Sequence, residues 1–309
     1  MSESEMPGQL PHGLISFGPD ANCTLELCPI EASVYQYRPS LPANIIFLVL
    51  FGLAVIVHGY LGFRWRSYLY MVLMQLGCIM GMVGYAGRIM MWVNPFSFIG
   101  FMLQVVFITS APVFYTAAIY VTLARAINFF GPELARFDPK WLIWVFVPFD
   151  LVCLGLQAAG GALSTTSSGA SQIGIDVAMA GLILQVIVLF FFCVLLGDYL
   201  VRYSRAGGVT SGTRMKLFFG FLSLAVVLIF IRCVFRAYEL SQGYRGSELI
   251  TDEPLFIGLE AVLVVLSAFS LAIGHPGLVF NKTTSPPGNV MEDGLATETE
   301  QKNRGSSST

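Results

Sequence analysis

The chain has 309 residues, 55% hydrophobic and 12% charged, with a mean hydropathy of +0.72 and a formal charge of −2. That composition lies far from the soluble average and describes an integral membrane protein. Seven mainly apolar runs, each of about 18 residues or more and so able to cross roughly 30 Å of hydrocarbon, occupy approximately residues 43–63, 69–91, 98–123, 141–160, 174–198, 216–238 and 254–273. Backbone groups in lipid must be satisfied internally, and these runs are too long for barrel strands. The expected fold is all-α: a polytopic seven-helix bundle over 43–273, with an extracellular segment at 1–42 and a disordered cytosolic tail at 274–309.

The first 42 residues lack an apolar core and a basic signal-peptide start, so the first helix serves as its own insertion signal. Lysine and arginine set the orientation. Twelve fall on one side of the seven spans and two, Arg38 and Arg245, on the other, while Arg88, Arg232 and Arg236 are intramembrane or interfacial. The N-terminus is therefore expected outside and the C-terminus in the cytosol. On that topology Asn22-Cys23-Thr24 is a candidate glycosylation site, whereas the sequon at Asn281 is cytosolic and unmodified. Cys23 and Cys28 then lie in an oxidising compartment and form a candidate disulfide. The other four cysteines read as small packing residues.

Along the spans, Gly77 and Gly81 of helix two, followed by Gly84 and Gly87, form a small-residue face for close helix packing. Pro148 weakens helix four just before Asp150 and can expose backbone carbonyls there, and Pro112 offers a second such site in helix three. Gln75, Gln104 and Gln185 suit interhelical hydrogen bonds. The connections at 92–97 and 161–173 read as lids or plain turns, and SRAGGVTSGTRMK as a flexible cytosolic loop. Arg232, Arg236 and Glu239 share one face of helix six, and Glu260 lies at matching depth in helix seven. An unpaired charge in hydrocarbon costs about 2.5 to 3.5 kcal/mol, so such residues face a partner, a cavity or a substrate. Arg88, Asp150, Gln157, Arg232, Arg236, Glu239 and Glu260 are thus the candidate substrate-binding residues. Arg232, Glu260, Arg88 and Asp150 are read either as buried ion pairs that fix packing or as part of a polar cavity for an amphiphile's headgroup, and Asp150, just after Pro148, is the one set apart from the packing reading.

No GxxxxGK[ST] loop is present, which excludes Walker-type ATP hydrolysis. The three histidines form no HExxH or Cys/His cluster, so no metal site and no enzyme activity are expected. His58 and His275 near one membrane face leave a bis-histidine porphyrin contact conceivable, although His275-Pro276-Gly277 is more simply a helix terminator. No cofactor is expected, and the expected partners are membrane lipids or amphiphilic small molecules, not nucleic acid.

YRPSLPANIIF before and into helix one, GYAGR in helix two, APVFYTAAIY in helix three, FDLVCLGLQAAGG in helix four, AGLILQ in helix five, IRCVFRAYELSQGYRG in helix six and the closing HPG occur in an order that resembles the fungal RTA1-like, or lipid-translocating exporter, family over residues 35–278. The resemblance implies seven-helix proteins of fungal plasma and related membranes, tied to resistance against toxic amphiphiles, to movement of sphingoid long-chain bases and, in some members, to porphyrins. The family often carries a glutamate where this chain has Gly81 and an aspartate where it has Glu260. Any proton-coupled or cation-binding role of the first position therefore does not carry over. The function so implied is a translocase for lipids or toxic amphiphiles. The alternatives are a lipid or stress sensor that regulates other exporters, or a porphyrin-handling transporter. Helix three ends in Thr122-Leu123-Ala124-Arg125 and helix seven lacks NPxxY, so a sensor would not be of the rhodopsin type.

Overall fold

The structure, a computed structural model, describes residues 9–10, 13–130, 135–136, 138–166, 172–205, 213–241 and 253–278. Asn281, Arg245, the glycine-rich loop at 206–212 and the tail beyond Leu278 lie outside the described residues. Seven helices are long and apolar enough to cross a membrane: α1 (Leu41–Trp65), α2 (Tyr68–Val93), α3 (Phe98–Phe130), α4 (Lys140–Thr166), α5 (Gln172–Arg205), α6 (Thr213–Ser241) and α7 (Glu253–Ile273). The expected seven-helix bundle is the observed fold. Within α7, Phe256–Val262 is π-helical.

Pro42 sits in the first turn of α1, where its missing N–H costs nothing. The helix ends at Arg66, which adopts the left-handed conformation at φ 51°, and the Ser67 amide closes on the Gly62 carbonyl at 3.1 Å. Only Arg66 and Ser67 separate α1 from α2, so the two run antiparallel side by side. Hydrocarbon supplies no hydrophobic drive between helices, and close backbone approach takes its place. A Cβ on Gly87 would stand 2.8 Å from the Gly100 carbonyl oxygen of α3, and one on Gly84 would run into Ile108. Gly81 instead faces Phe51 of α1, so the helix-two glycines serve two neighbours rather than one.

Hydrogen bonds fasten α1, α2 and α7. Gln75 donates to the Val55 carbonyl at 2.8 Å, the Tyr70 hydroxyl to the Leu271 carbonyl at 2.8 Å, and His58 Nε2 meets the Ala268 carbonyl at 3.1 Å. Just past α7, His275 Nδ1 accepts from the Gly277 amide at 3.0 Å while Nε2 meets Ser67 Oγ at 3.3 Å. Both ring nitrogens of His275 are thus engaged by the protein. Burial first, and the neighbouring His58 second, push its pKa down to about 4.

Two regions differ from the sequence reading. The helices outrun the apolar spans: α4 continues to Thr166, so part of the connection expected at 161–173 is helix, and α5 reaches Arg205. A helix satisfies its own backbone and so continues past the hydrocarbon. The exposed end of α5 is laced by Asp198, 3.1 Å from Arg202 and 3.3 Å from Arg136. The N-terminal segment, expected without a core of its own, is folded onto the helix ends. A two-residue antiparallel ladder pairs β1 (Gln9–Leu10) with β2 (Leu14–Ile15), and Cys23 is bonded to Cys28. Phe17 packs edge-on against Phe98 and Phe101 at 5.8 and 5.2 Å, so the segment borrows apolar partners from α3. Arg38 donates to the Trp92 carbonyl at 2.7 Å and lies over the Trp92 ring.

Candidate functional site

A cavity with about 830 Å³ of empty space, part of it open, lies between α3, α4, α5 and α6 beneath the N-terminal segment. Phe101, Val105 and Ser110 of α3 face Leu154, Gln157 and Ser164 of α4 across it, Leu182 and Leu240 close its far side, and Phe17 and Val34 cover its end. The walls are apolar apart from a few hydroxyls, the Gln157 amide and Arg236, the charged residue in the described lining. Gln157 donates to Gln185 Oε1 at 2.9 Å, which leaves Gln157 Oε1 buried without a hydrogen-bond partner in the described residues.

Behind Arg236 lies a buried ion network. Arg236 Nη1 stands 2.6 Å from Glu239 Oε2 and 3.7 Å from Glu260 Oε2, and Arg232 Nη2 donates to Glu260 Oε1 at 2.8 Å. Two arginines and two glutamates balance, so the network carries no net charge into the membrane. Pro112 explains a further contact. Its missing N–H leaves the Ile108 carbonyl without its α-helical donor, and Arg232 Nη2 supplies one at 3.3 Å. The π-helical turn places Glu260 for this network, a common use of a π-bulge at a site.

Arg88 belongs to a second cluster. It donates to Asn44 Oδ1 of α1 at 3.0 Å and to the Tyr37 hydroxyl at 3.2 Å, stands 3.7 Å from Glu253 Oε1, and lies over the Phe256 ring at 3.9 Å. Glu253 Oε1 also accepts the Ser40 amide at 2.6 Å, and Gln104 donates to the Tyr35 hydroxyl at 2.8 Å. These bonds seat the N-terminal segment on the bundle. Burial raises the pKa of both Tyr35 and Tyr37, so both phenols stay un-ionised.

Asp150 stands apart from both clusters. Its Oδ2 accepts from Thr116 Oγ1 at 2.8 Å and from the Tyr120 hydroxyl at 3.1 Å, both on α3. It joins no ion pair among the described residues. The packing reading that grouped Asp150 with the ion pairs is thereby corrected: α3 answers this carboxylate with hydroxyls. Of the seven candidates, then, Gln157 and Arg236 line the cavity, Glu239, Glu260 and Arg232 stand behind Arg236, Arg88 holds the N-terminal segment, and Asp150 lies deeper. Sequence reasoning missed Thr116, Tyr120, Asn44, Glu253 and Phe17. A signal for the first two was present, since Thr116 and Tyr120 stand four apart on one helical face within the APVFYTAAIY motif. Asn22, the candidate glycosylation site, is exposed, with Oδ1 accepting the Ile15 amide at 2.7 Å.

Residues 74–283 match the family described as RTA1 like protein. The chain is 30% identical over 288 residues to "Sphingoid long-chain base transporter RSB1" of Saccharomyces cerevisiae (strain ATCC 204508 / S288c), covering 81% of this chain and 75% of that protein. It is 30% identical over 203 residues to "Protein RTM1" of Saccharomyces cerevisiae, covering 64% of each. It is 26% identical over 273 residues to "Lipid-translocating exporter-like protein RTA1" of Leptosphaeria maculans, covering 81% of this chain and 52% of that one. No solved structure matches. With the family match spanning most of the seven-helix bundle, the chain belongs to the RTA1-like family.

Proposed function

We propose that this chain is a lipid-handling exporter of the plasma membrane, not an enzyme, and that it admits an amphiphile such as a sphingoid long-chain base into the cavity between α3 and α6. The observation that carries the reading is the cavity itself. It lies among four helices and is open in part. Its apolar walls suit an alkyl chain, and the unused Gln157 Oε1 suits a hydroxyl or ammonium donor.

The ion network supplies an exchange of partners for the carboxylates. An incoming ammonium displaces Arg236 from Glu239, and the guanidinium remains against Glu260, 3.7 Å away in the unloaded arrangement. No carboxylate is left bare in hydrocarbon, where it would cost several kcal/mol. Arg232 and Glu260 hold α6 to α7 as the strut behind this exchange. The N-terminal face lies outside and Asn22 carries a glycan, as the lysine and arginine bias supports.

Transbilayer movement of a fluorescent long-chain base in proteoliposomes tests the reading. Wild type moves the probe, and Glu239→Gln, checked for folding by its melting curve, moves it at a small fraction of that rate. No movement by wild type contradicts export and favours a lipid sensor.

A further inference from the structure

We propose that Asp150 is a proton-binding site that couples export to a proton gradient by tightening and loosening the α3–α4 contact beneath the cavity. The inference rests on the export reading only for its coupling half.

The hydrogen-bond geometry fits both protonation states. Thr116 Oγ1 lies 2.8 Å from Asp150 Oδ2 and 2.9 Å from the Val113 carbonyl oxygen, and its single proton serves one of them at a time. When Asp150 is ionised, Thr116 and Tyr120 both donate to it. When a proton arrives and an O–H bond forms on Oδ2, that group donates to Thr116 Oγ1, and the threonine proton turns to the Val113 carbonyl. Each state is satisfied by rotation of hydroxyls alone. A carboxylate held by a fixed guanidinium, as Glu260 is by Arg232, has no such second arrangement.

The surroundings single out this carboxyl as the group that titrates. Asp150 is buried, and the titratable groups facing it are Tyr120 from α3, Cys153 on its own helix and Cys233 from α6. α5 contributes Phe192, packed on Tyr120 at 4.6 Å. Tyrosine and cysteine ordinarily lose protons only near about pH 10 and 8.5, so across the acid to neutral range the charge of this cluster is the charge of Asp150. Arg232, beside Cys233 in the chain, is taken by Glu260 and the Ile108 carbonyl.

Position connects the proton to the cavity. Leu154 and Gln157, four and seven residues on from Asp150, lie on its face of α4 and line the cavity, so Asp150 sits about 10 Å beneath Gln157. The same two helices, α3 and α4, form the facing walls above and the Asp150 contact below. Pro148 and Pro112 each remove a backbone bond near that contact, which lets the helices bend there. Hydrogen bonds to an ionised carboxylate are roughly twice as strong as neutral ones. Proton uptake from the aqueous phase therefore slackens the clamp, and release restores it.

The test uses the full chain in liposomes with the fluorescent long-chain base as probe, a proton gradient imposed or collapsed by a protonophore, and infrared difference spectra of the same preparation. The gradient accelerates wild-type movement at least about fivefold, the low end of typical coupling. Asp150→Asn abolishes that difference and Asp150→Glu restores part of it. The spectra show a protonated-carboxyl C=O band that titrates with pH in wild type and is missing in Asp150→Asn. Wild-type movement indifferent to the gradient, or driven by a sodium gradient in its place, overturns the coupling. Absence of the band throughout an acid to neutral titration overturns the proton site, and that arm decides it even if no lipid moves and the export reading fails.

Discussion

Glu260 at the α6–α7 contact and Asp150 at the α3–α4 contact are both buried carboxylates, stabilised by different means. Glu260 is held by Arg232 at 2.8 Å with Arg236 close by, while Asp150 receives, among the described residues, only the hydroxyls of Thr116 and Tyr120. A fixed counter-charge locks one ionisation state, because removing either partner strands the other in a medium that cannot solvate it. Neutral donors that also rotate leave both states open. Hence the same residue chemistry gives a strut at one contact and a responsive joint at the other.

The largest effect expected on that distinction is Glu260→Gln, which strands Arg232 and lowers stability by about 3–5 kcal/mol in detergent unfolding curves. Replacing both partners, Arg232→Met with Glu260→Leu, recovers most of the loss. If the single variant melts with wild type, the strut reading fails. Next comes the packing that keeps α3 fixed on its other side. Gly84→Leu meets Ile108 and costs about 1–3 kcal/mol, whereas Gly155→Ala meets nothing within 4 Å and gains about 0.5–1 kcal/mol.

A buried neutral histidine sharpens the comparison through pH. The folded pKa of His275, about 4, lies below the ordinary value near 6.5, so the unfolded chain binds the extra proton first. Stability from this group is full above about pH 6.5 and falls as pH drops toward about 4. His275→Gln flattens that slope in melts across the window, and an unchanged slope would show that another group carries it. Asp150→Asn is smaller still, within about 1 kcal/mol of wild type, because an amide oxygen accepts from the same two hydroxyls. The smallest shift belongs to Asp198→Asn at the exposed end of α5, about 0.5 kcal/mol or less and screened by salt.

Seven helices were legible because each apolar run is long enough to span lipid, and the nearness of Arg232 and Glu260 followed from counting residues down two helices. What each helix shows its neighbours was not legible. Ile56 of α1 and Phe191 of α5 face outward while Ile119 and Phe192 are buried, so lipid-facing and interior sides look alike in hydropathy. The cavity depends on that hidden rotation. The π-helical turn around Glu260 carries no pattern that separates it from regular helix. The seating of the N-terminal segment was not legible because Phe17 and Tyr35 are completed by Phe101 and Gln104 from a distant helix. Asp150 was marked by its charge, but Thr116 and Tyr120 are ordinary residues until the fold aims them at it.

The most direct test of the account is photolabelling by a long-chain base with a photoreactive tail, mapped by peptide mass spectrometry on the reconstituted chain. Labels are expected on the cavity walls, at Val105 and Met102 of α3 and Leu154 and Ala158 of α4, and unlabelled long-chain base competes them away. Competed labels confined to outward-facing residues such as Ile56, Ile183 and Phe191, with the cavity walls unlabelled, would contradict the account.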